Sequence, residues 1–213
     1  MSRADAPLTL DRIVDTAQDV LRRFGPAKAT VVDVARALGV SHAAVYRHVA
    51  TRAELRDLVV GRWAETTMPP LQAIAVKPGP APKRLRQLFD ALISIKRRRA
   101  AEDPELFAAY RTLAADAESV VAAHLDALVG LAATVIRSGV EEGSFRAVDP
   151  AAAARAVLFA TSRFHHPVHA AEWADPAIDQ TYDDVWRMLM DGLCVAKKPG
   201  RSRKHRRRKE ASS

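Results

Sequence analysis

Apolar residues recur at helical spacing from the first stretch of the chain onward. Ile13, Ala17, Val20, Leu21 and Phe24 fall on one face of a helix that Thr9 caps and Gly25-Pro26 ends. Thr30 opens a second, short helix carrying Val34, Ala35 and Leu38, which stops at Gly39, and Ser41 caps a third over 42–48. A fourth runs from Arg52 to Thr67, with Met68-Pro69-Pro70 as its closing signal. Residues 76–82, VKPGPAP, read as a linker. Beyond them the pattern predicts helices over 81–101, 104–115, 117–142, 150–172 and 176–194. Asp103-Pro104-Glu105 is a start signal, with Asp as N-cap, Pro in the first turn and an acid beside it; Asp149-Pro150 and Asp175-Pro176 repeat the device. Strand-like alternation is missing, so the expected class is all-α: a three-helix head over 9–66 on a helical body over 67–196. Residues 1–8 read as a flexible lead and 197–213 as a disordered basic tail.

Composition narrows the function classes. With 213 residues, 48% of them hydrophobic, the chain can bury a core without metal or disulfide support. The one cysteine, Cys194, excludes an intrachain disulfide and fits a reducing compartment. No apolar run reads as a membrane span, and the N-terminus lacks the apolar region of a signal peptide, so the expectation is a cytoplasmic protein without a membrane partner. The net charge of +8 is local: residues 197–210, KKPGRSRKHRRRKE, hold nine basic residues and one acid, which accounts for all of it. Such a run either attracts polyanions, chiefly nucleic acid, or serves only as a solubilising tail.

The head carries the sharpest pattern. The spacing of Ala35, Gly39 and Val45 suits a helix-turn-helix: a small residue at the helix contact, a glycine for the left-handed turn, an apolar anchor on the second helix. A helical hairpin without a DNA role shows the same spacing. The surrounding residues add to it: Ile13, Ala17, Leu21 and Phe24-Gly25; Thr30 to Ala35; Leu38-Gly39-Val40-Ser41; Val45-Tyr46-Arg47-His48-Val49; and Thr51 to Leu55. Over about 9–60 this sequence closely resembles the DNA-binding head of the TetR family of bacterial repressors. The body is similar only in length and layout.

The resemblance implies a one-component regulator, a repressor, that works as a homodimer on a palindromic double-stranded DNA operator and is released by a small-molecule effector bound in the C-terminal helical domain. It places Ser41, His42, Ala43, Ala44, Tyr46, Arg47 and His48 on or beside the recognition helix, with Arg52 as a phosphate contact and Thr30 aiming a helix N-terminus at another. Arg47 suits guanine, and Ala43 or Ala44 a thymine methyl. Val32 departs from the family, standing where many members carry a basic or polar residue. The head's own balance is slight, ten basic against eight acidic residues over 1–66.

In the body, Lys96-Arg97-Arg98-Arg99 spreads around a helix and reads as macrodipole compensation rather than a second nucleic-acid site. His165 and His169 stand at i, i+4, a metal-compatible spacing, and His124 lies on an apolar helix face. These three histidines are metal ligands, polar contacts in an organic-ligand pocket, or satisfied core residues; Pro167 works against the i, i+4 alignment. The expected pocket walls are Phe89, Phe107, Tyr110, His124, Leu128, Phe159, Ser162 and His165. Val185, Trp186, Leu189, Met190 and Leu193 form an apolar stripe on the last helix, where the resemblance implies a dimer interface. No Gly-x-Ser-x-Gly, His-Glu-x-x-His, phosphate-binding glycine loop or paired-cysteine spacing is found, and no cofactor is expected. A helical metal-binding protein or enzyme using the histidines, and an architectural DNA-binder acting through the tail, remain the alternatives.

Overall fold

The computed structural model describes residues 7–195; the basic run at 197–210 and most of the lead expected over 1–8 lie outside the described residues. Among the described residues the fold is all-α, with one isolated bridge, Phe145 with Cys194, and no sheet.

The head consists of α1 (Leu10–Phe24), α2 (Val31–Leu38), α3 (His42–Tyr46) and α4 (Arg52–Glu65). Each start is capped by a hydroxyl: Thr9 accepts from the Arg12 amide, Thr30 from Asp33, Ser41 from Ala44 and Thr51 from Glu54. At α4 the cap is reciprocal, because the Glu54 carboxylate accepts from the Ala50 amide at 2.7 Å. Each such cap contributes ~1 kcal/mol, which matters for helices as short as α2 and α3. Gly39 ends α2 in the left-handed conformation, at φ 70°, and so sets the angle at which α3 leaves. Ile13, Leu21, Val34, Ala35, Val45 and Leu55 are fully buried between these helices. Phe24, although in phase with that face, is exposed, because α1 ends at it and the chain turns away at Gly25.

The body comprises α5 (Met68–Val76), α6 (Ala81–Glu102), α7 (Pro104–Asp116), α8 (Glu118–Glu141), α9 (Pro150–Ala160), α10 (Ser162–His165) and α11 (Ile178–Leu193), with a 3-10 stretch at Pro167–Ala174. Three expectations need correcting. Met68-Pro69-Pro70 starts α5 instead of closing the fourth helix, since proline is well tolerated in a first turn, where its missing N–H has no partner to lose. Residues 76–82 are the turn of the α5–α6 hairpin: Leu71 and Ala75 before it share one core with Ala81 and Leu85 after it. The helix expected over 150–172 is broken. Thr161 caps α9, His166 is extended, and Pro167 begins the 3-10 stretch.

Helix α8 is long and apolar enough by composition to cross a membrane, which the reading of the sequence did not register. In this fold it is a core helix, burying Leu128, Val129, Ala132, Val135 and Ile136. Near its end the Phe145 ring lies on the backbone of Gly139, where a Cβ would sit 2.1 Å from the ring, so only glycine admits this closure. Head and body meet at α7. Its Leu106, Phe107, Ala109 and Tyr110 belong to the same buried cluster as the head's Leu21, Val59 and Trp63.

Candidate DNA interface and ligand cavity

Helix α3 presents a polar face because its one buried side chain, Val45, fixes its rotation. His42, Ala43 and Tyr46 are exposed on it and Ala44 is half-buried. Arg47 and His48 follow in a tight continuation, with the amides of His48 and Val49 both donating to the Val45 carbonyl, and both side chains are exposed. Between Asp33 and Glu54 the chain contains no acid; Arg36 pairs back to Asp33 at 3.1 Å, while the side chains of His42, Arg47, His48 and Arg52 are exposed along the acid-free stretch. That local concentration of positive charge exceeds what the head's overall balance suggests. Arg52 donates to the Pro26 carbonyl at 3.3 Å and stays exposed. Thr30 caps α2, but its hydroxyl donates to the Asp33 carboxylate at 2.6 Å. An acid therefore already sits at the helix end that the resemblance reserved for a phosphate.

The cavity lies in the body. It measures about 580 Å³ and is walled by α6, α7, α8 and the segment from His165 to Val168. Of the eight walls expected, Tyr110, His124, Leu128 and His165 line it. The other four do not. Phe89 stands behind His165, with ring centroids 6.3 Å apart, and packs on Trp186. Phe107 faces the head, between Trp63 and Trp173. Phe159 is 56% exposed, since α9 turns Val157 and Leu158 inward and its next residue outward. Ser162 lies beyond the break in that helix and is outside the lining.

Lys96 is the wall that the reading of the sequence missed. Within the basic run it is 3% exposed and lines the cavity, whereas Arg97 pairs with Asp179 and Arg99 binds the end of α4. Helical periodicity holds the signal: Lys96 shares a face with Leu85, Leu88, Phe89, Leu92 and Ile95, and a lysine in an apolar stripe is a buried lysine. Burial, with Arg99 nearby, pulls its ammonium down to about 8. Burial also holds His124 and His165 down to about 3, with Lys96 adding to both. The Thr161 hydroxyl donates to the Val157 carbonyl at 2.8 Å, so its oxygen accepts from His165 Nε2–H at 3.3 Å. His124 Nε2 is buried without a hydrogen-bond partner among the described residues.

The three histidines do not converge. The proline-led break turns His169 away to bond Glu172 at 2.7 Å, leaving His124 and His165 on the cavity. Among the described residues no group of three His, Cys, Asp or Glu side chains is placed to hold a metal ion.

An aromatic stack joins the cavity wall to the head, beside the apolar contacts of Ala114 and Val121 with the same cluster. Tyr110, on the cavity wall, stacks on Trp63 of α4 with centroids 4.6 Å apart and planes at 16°. The Arg99 guanidinium also lies 5.2 Å from the Trp63 ring centroid and donates to the Trp63 carbonyl and the Thr67 hydroxyl. Tyr110 and Arg99 of α6 are thus both in direct contact with the last helix of the head.

On α11, Trp186 and Leu193 are buried in the body, Trp186 against Phe89 and Tyr182; they cannot reach a partner without unpacking. Val185, Leu189 and Met190 are half-buried on the same core. The large apolar side chains left outside on the last helices are Met188, 77% exposed, and Phe159.

Two family models match. Residues 13–59 match the tetR family of bacterial regulatory proteins, and residues 81–186 match the tetracyclin repressor-like C-terminal domain. A comparison with curated proteins finds no match. Among solved structures the chain is similar to a TetR transcription regulator from Haloarcula marismortui, with a TM-score of 0.67, 21% identity, and coverage of 87% of this chain and 97% of that one. It is similar also to SmeT, the repressor of the Stenotrophomonas maltophilia multidrug efflux pump SmeDEF, with a TM-score of 0.66, 18% identity, and coverage of 91% and 93%. A SmeT–triclosan complex gives a TM-score of 0.64 at 18% identity, covering 89% and 94%. With a helix-turn-helix head and a helical C-terminal domain each matched by its own model, the chain belongs to the TetR family of transcription regulators.

Proposed function

We propose that this protein is a one-component repressor. A homodimer binds a short inverted repeat in double-stranded DNA through α3, and a small molecule in the body cavity releases it. The observation that carries this reading is the continuity of the two sites: the cavity wall Tyr110 is stacked on Trp63 of the head whose α3 presents an acid-free polar face. Because Trp63 is held by both Tyr110 and Arg99, a ligand that moves α7 changes the tilt of α4 and with it the spacing of the two heads. The coupling is reciprocal, so operator DNA weakens ligand binding by the same factor. The action is cytoplasmic, where the operator is.

Selection of bound DNA from a random pool by the full chain tests this, and recovers an inverted repeat with half-sites about one helical turn apart. Arg47→Ala costs ~1–3 kcal/mol and relaxes preference at one or two positions of each half-site. Arg52→Ala weakens all sequences alike, as a phosphate contact does. Recovery of no preferred sequence defeats the reading.

Dimerisation is assigned to the outward face of α9 and α11. Phe159 and Met188 are the apolar side chains that gain burial there. Phe159→Glu places a charge in that contact, so sedimentation shows monomer where the parent is a dimer, and operator affinity falls with it. An unchanged dimer moves the interface elsewhere.

A further inference from the structure

The body holds a largely buried cation that has no partner among the described residues. Lys96 lines the cavity at 3% exposure and has neither a hydrogen-bond nor an ion-pair partner among the described residues. The charge beside it is that of Arg99, which repels it. No acid stands among the lining residues. The polar atom of His124, Nε2, is buried and unsatisfied on the same wall, and Arg111 lines another edge. Tyr110, Thr112, His165 and His166 are the other polar walls, and the rest of the lining is small or apolar, including Ala108, Ala114, Val121, Leu125 and Leu128.

An unpaired buried ammonium opposes folding, and an unsatisfied imidazole nitrogen adds to that cost. Both costs are relieved at once by a ligand that brings an anion. A cation meets Lys96 and Arg111 and is repelled. A neutral acceptor can bond the ammonium but leaves its charge uncompensated. Taking the repressor reading as its basis, we propose that the effector is an amphipathic monoanion: an acid group seated between Lys96 Nζ and His124 Nε2, and an apolar body along the Ala108–Leu128 wall. At about 580 Å³ the cavity accepts a molecule of metabolite size.

Protonation supplies an independent signature. The titratable groups facing Lys96 are Arg99 on its own helix, Tyr110 and Arg111 on α7, His124 on α8, and His165 and His166 beyond α9. Burial pushes Tyr110 up and the three histidines down, and arginine stays charged, so Lys96 is the one that changes charge near pH 8. An anion that settles on Lys96 holds its proton, and binding at pH 8 therefore takes up about half a proton.

The test is calorimetry on the full-length dimer with two matched series: decanoate, decanamide and decylamine, and 2-naphthoate, 2-naphthamide and 2-naphthylamine. In at least one series the acid binds about tenfold or more tighter than its amide, and the amine binds worse still. Titrations at pH 8 in buffers of different ionisation enthalpy show proton uptake. In Lys96→Met, a substitution that keeps length and apolar bulk, acid and amide bind alike and the uptake vanishes; a melting curve confirms that the variant is folded. The proposal is overturned if an amide or amine matches its acid, if the acid preference survives in Lys96→Met, or if no member of either series binds. Operator binding measured in parallel separates the two readings. Release of DNA by a neutral or cationic member keeps the repressor and sinks the monoanion. An acid that binds with the expected preference yet leaves operator affinity unchanged keeps the monoanion and sinks the repressor.

Discussion

Between pH 7.5 and pH 5 the ligand-free protein loses about 4 kcal/mol of stability through two histidines. His124 and His165 are buried neutral, and both are held down to about 3 by burial first and by the Lys96 charge second. In the unfolded chain each returns to an ordinary value near 6.5. As pH falls through 6.5 the unfolded ensemble takes up protons that the native state refuses, and unfolding gains ~1.4 kcal/mol per pH unit for each histidine. The contribution is thus complete above the unfolded value and lost progressively below it. His166, also held down by burial, pulls in the same direction. Urea unfolding at pH 7.5, 6 and 5 measures the loss. His124→Gln removes about half of the pH dependence, since glutamine fills similar space without titrating. A stability that stays flat from pH 7.5 to 5 would show that these rings are solvated or already paired.

Much of the head was legible because local rules there agree with one another. Thr30, Gly39, Ser41 and Val45 each satisfy a short-range requirement, whether a cap, a left-handed turn or an anchor, and the structure contains all four in those roles. The body was harder to read because its decisive features depend on which face a helix turns to a neighbour. Pro167 announced a break, but not that the break lets His165 stay on the cavity while His169 leaves it for Glu172. Phe159 and Leu158 are equally apolar neighbours, and only the packing of α9 on α8 decides that Leu158 goes in and Phe159 out. At Met68-Pro69-Pro70 the same residues serve as an end or a beginning, and the apolar Leu71 and Ala75 beyond them carried the answer. Lys96 was hidden by company: read with Arg97, Arg98 and Arg99 it is part of a surface run, and read with Leu85, Leu88, Leu92 and Ile95 it is the polar member of a core face.

Lys96→Met raises the stability of the ligand-free protein by about 3 kcal/mol at pH 7. The ammonium is pulled from 10.5 to about 8, and its cause is burial first, then repulsion by Arg99. Below pH 8 both the native and unfolded chains keep the proton, so the native state bears the full cost of an unpaired buried charge. As pH rises from 8 toward 10.5 the native state releases its proton first. The unfolded chain then binds more protons, and the parent gains stability with pH until the cost is gone. The variant has no such group. The gap between variant and parent is therefore widest below pH 8 and closes by about pH 10.5, which urea unfolding of both chains at pH 7 and pH 10 reads directly. Tyr110 and Tyr182, both raised by burial, titrate alike in parent and variant and cancel in the difference. Removing the charge also lifts one of the pressures on His124 and His165, so the variant loses less stability in acid than the parent does. A variant no more stable than the parent at pH 7 would mean that Lys96 has a partner or water contact that satisfies it. A more stable variant that has lost its preference for acids would identify Lys96 as a charge kept for binding at the expense of the fold.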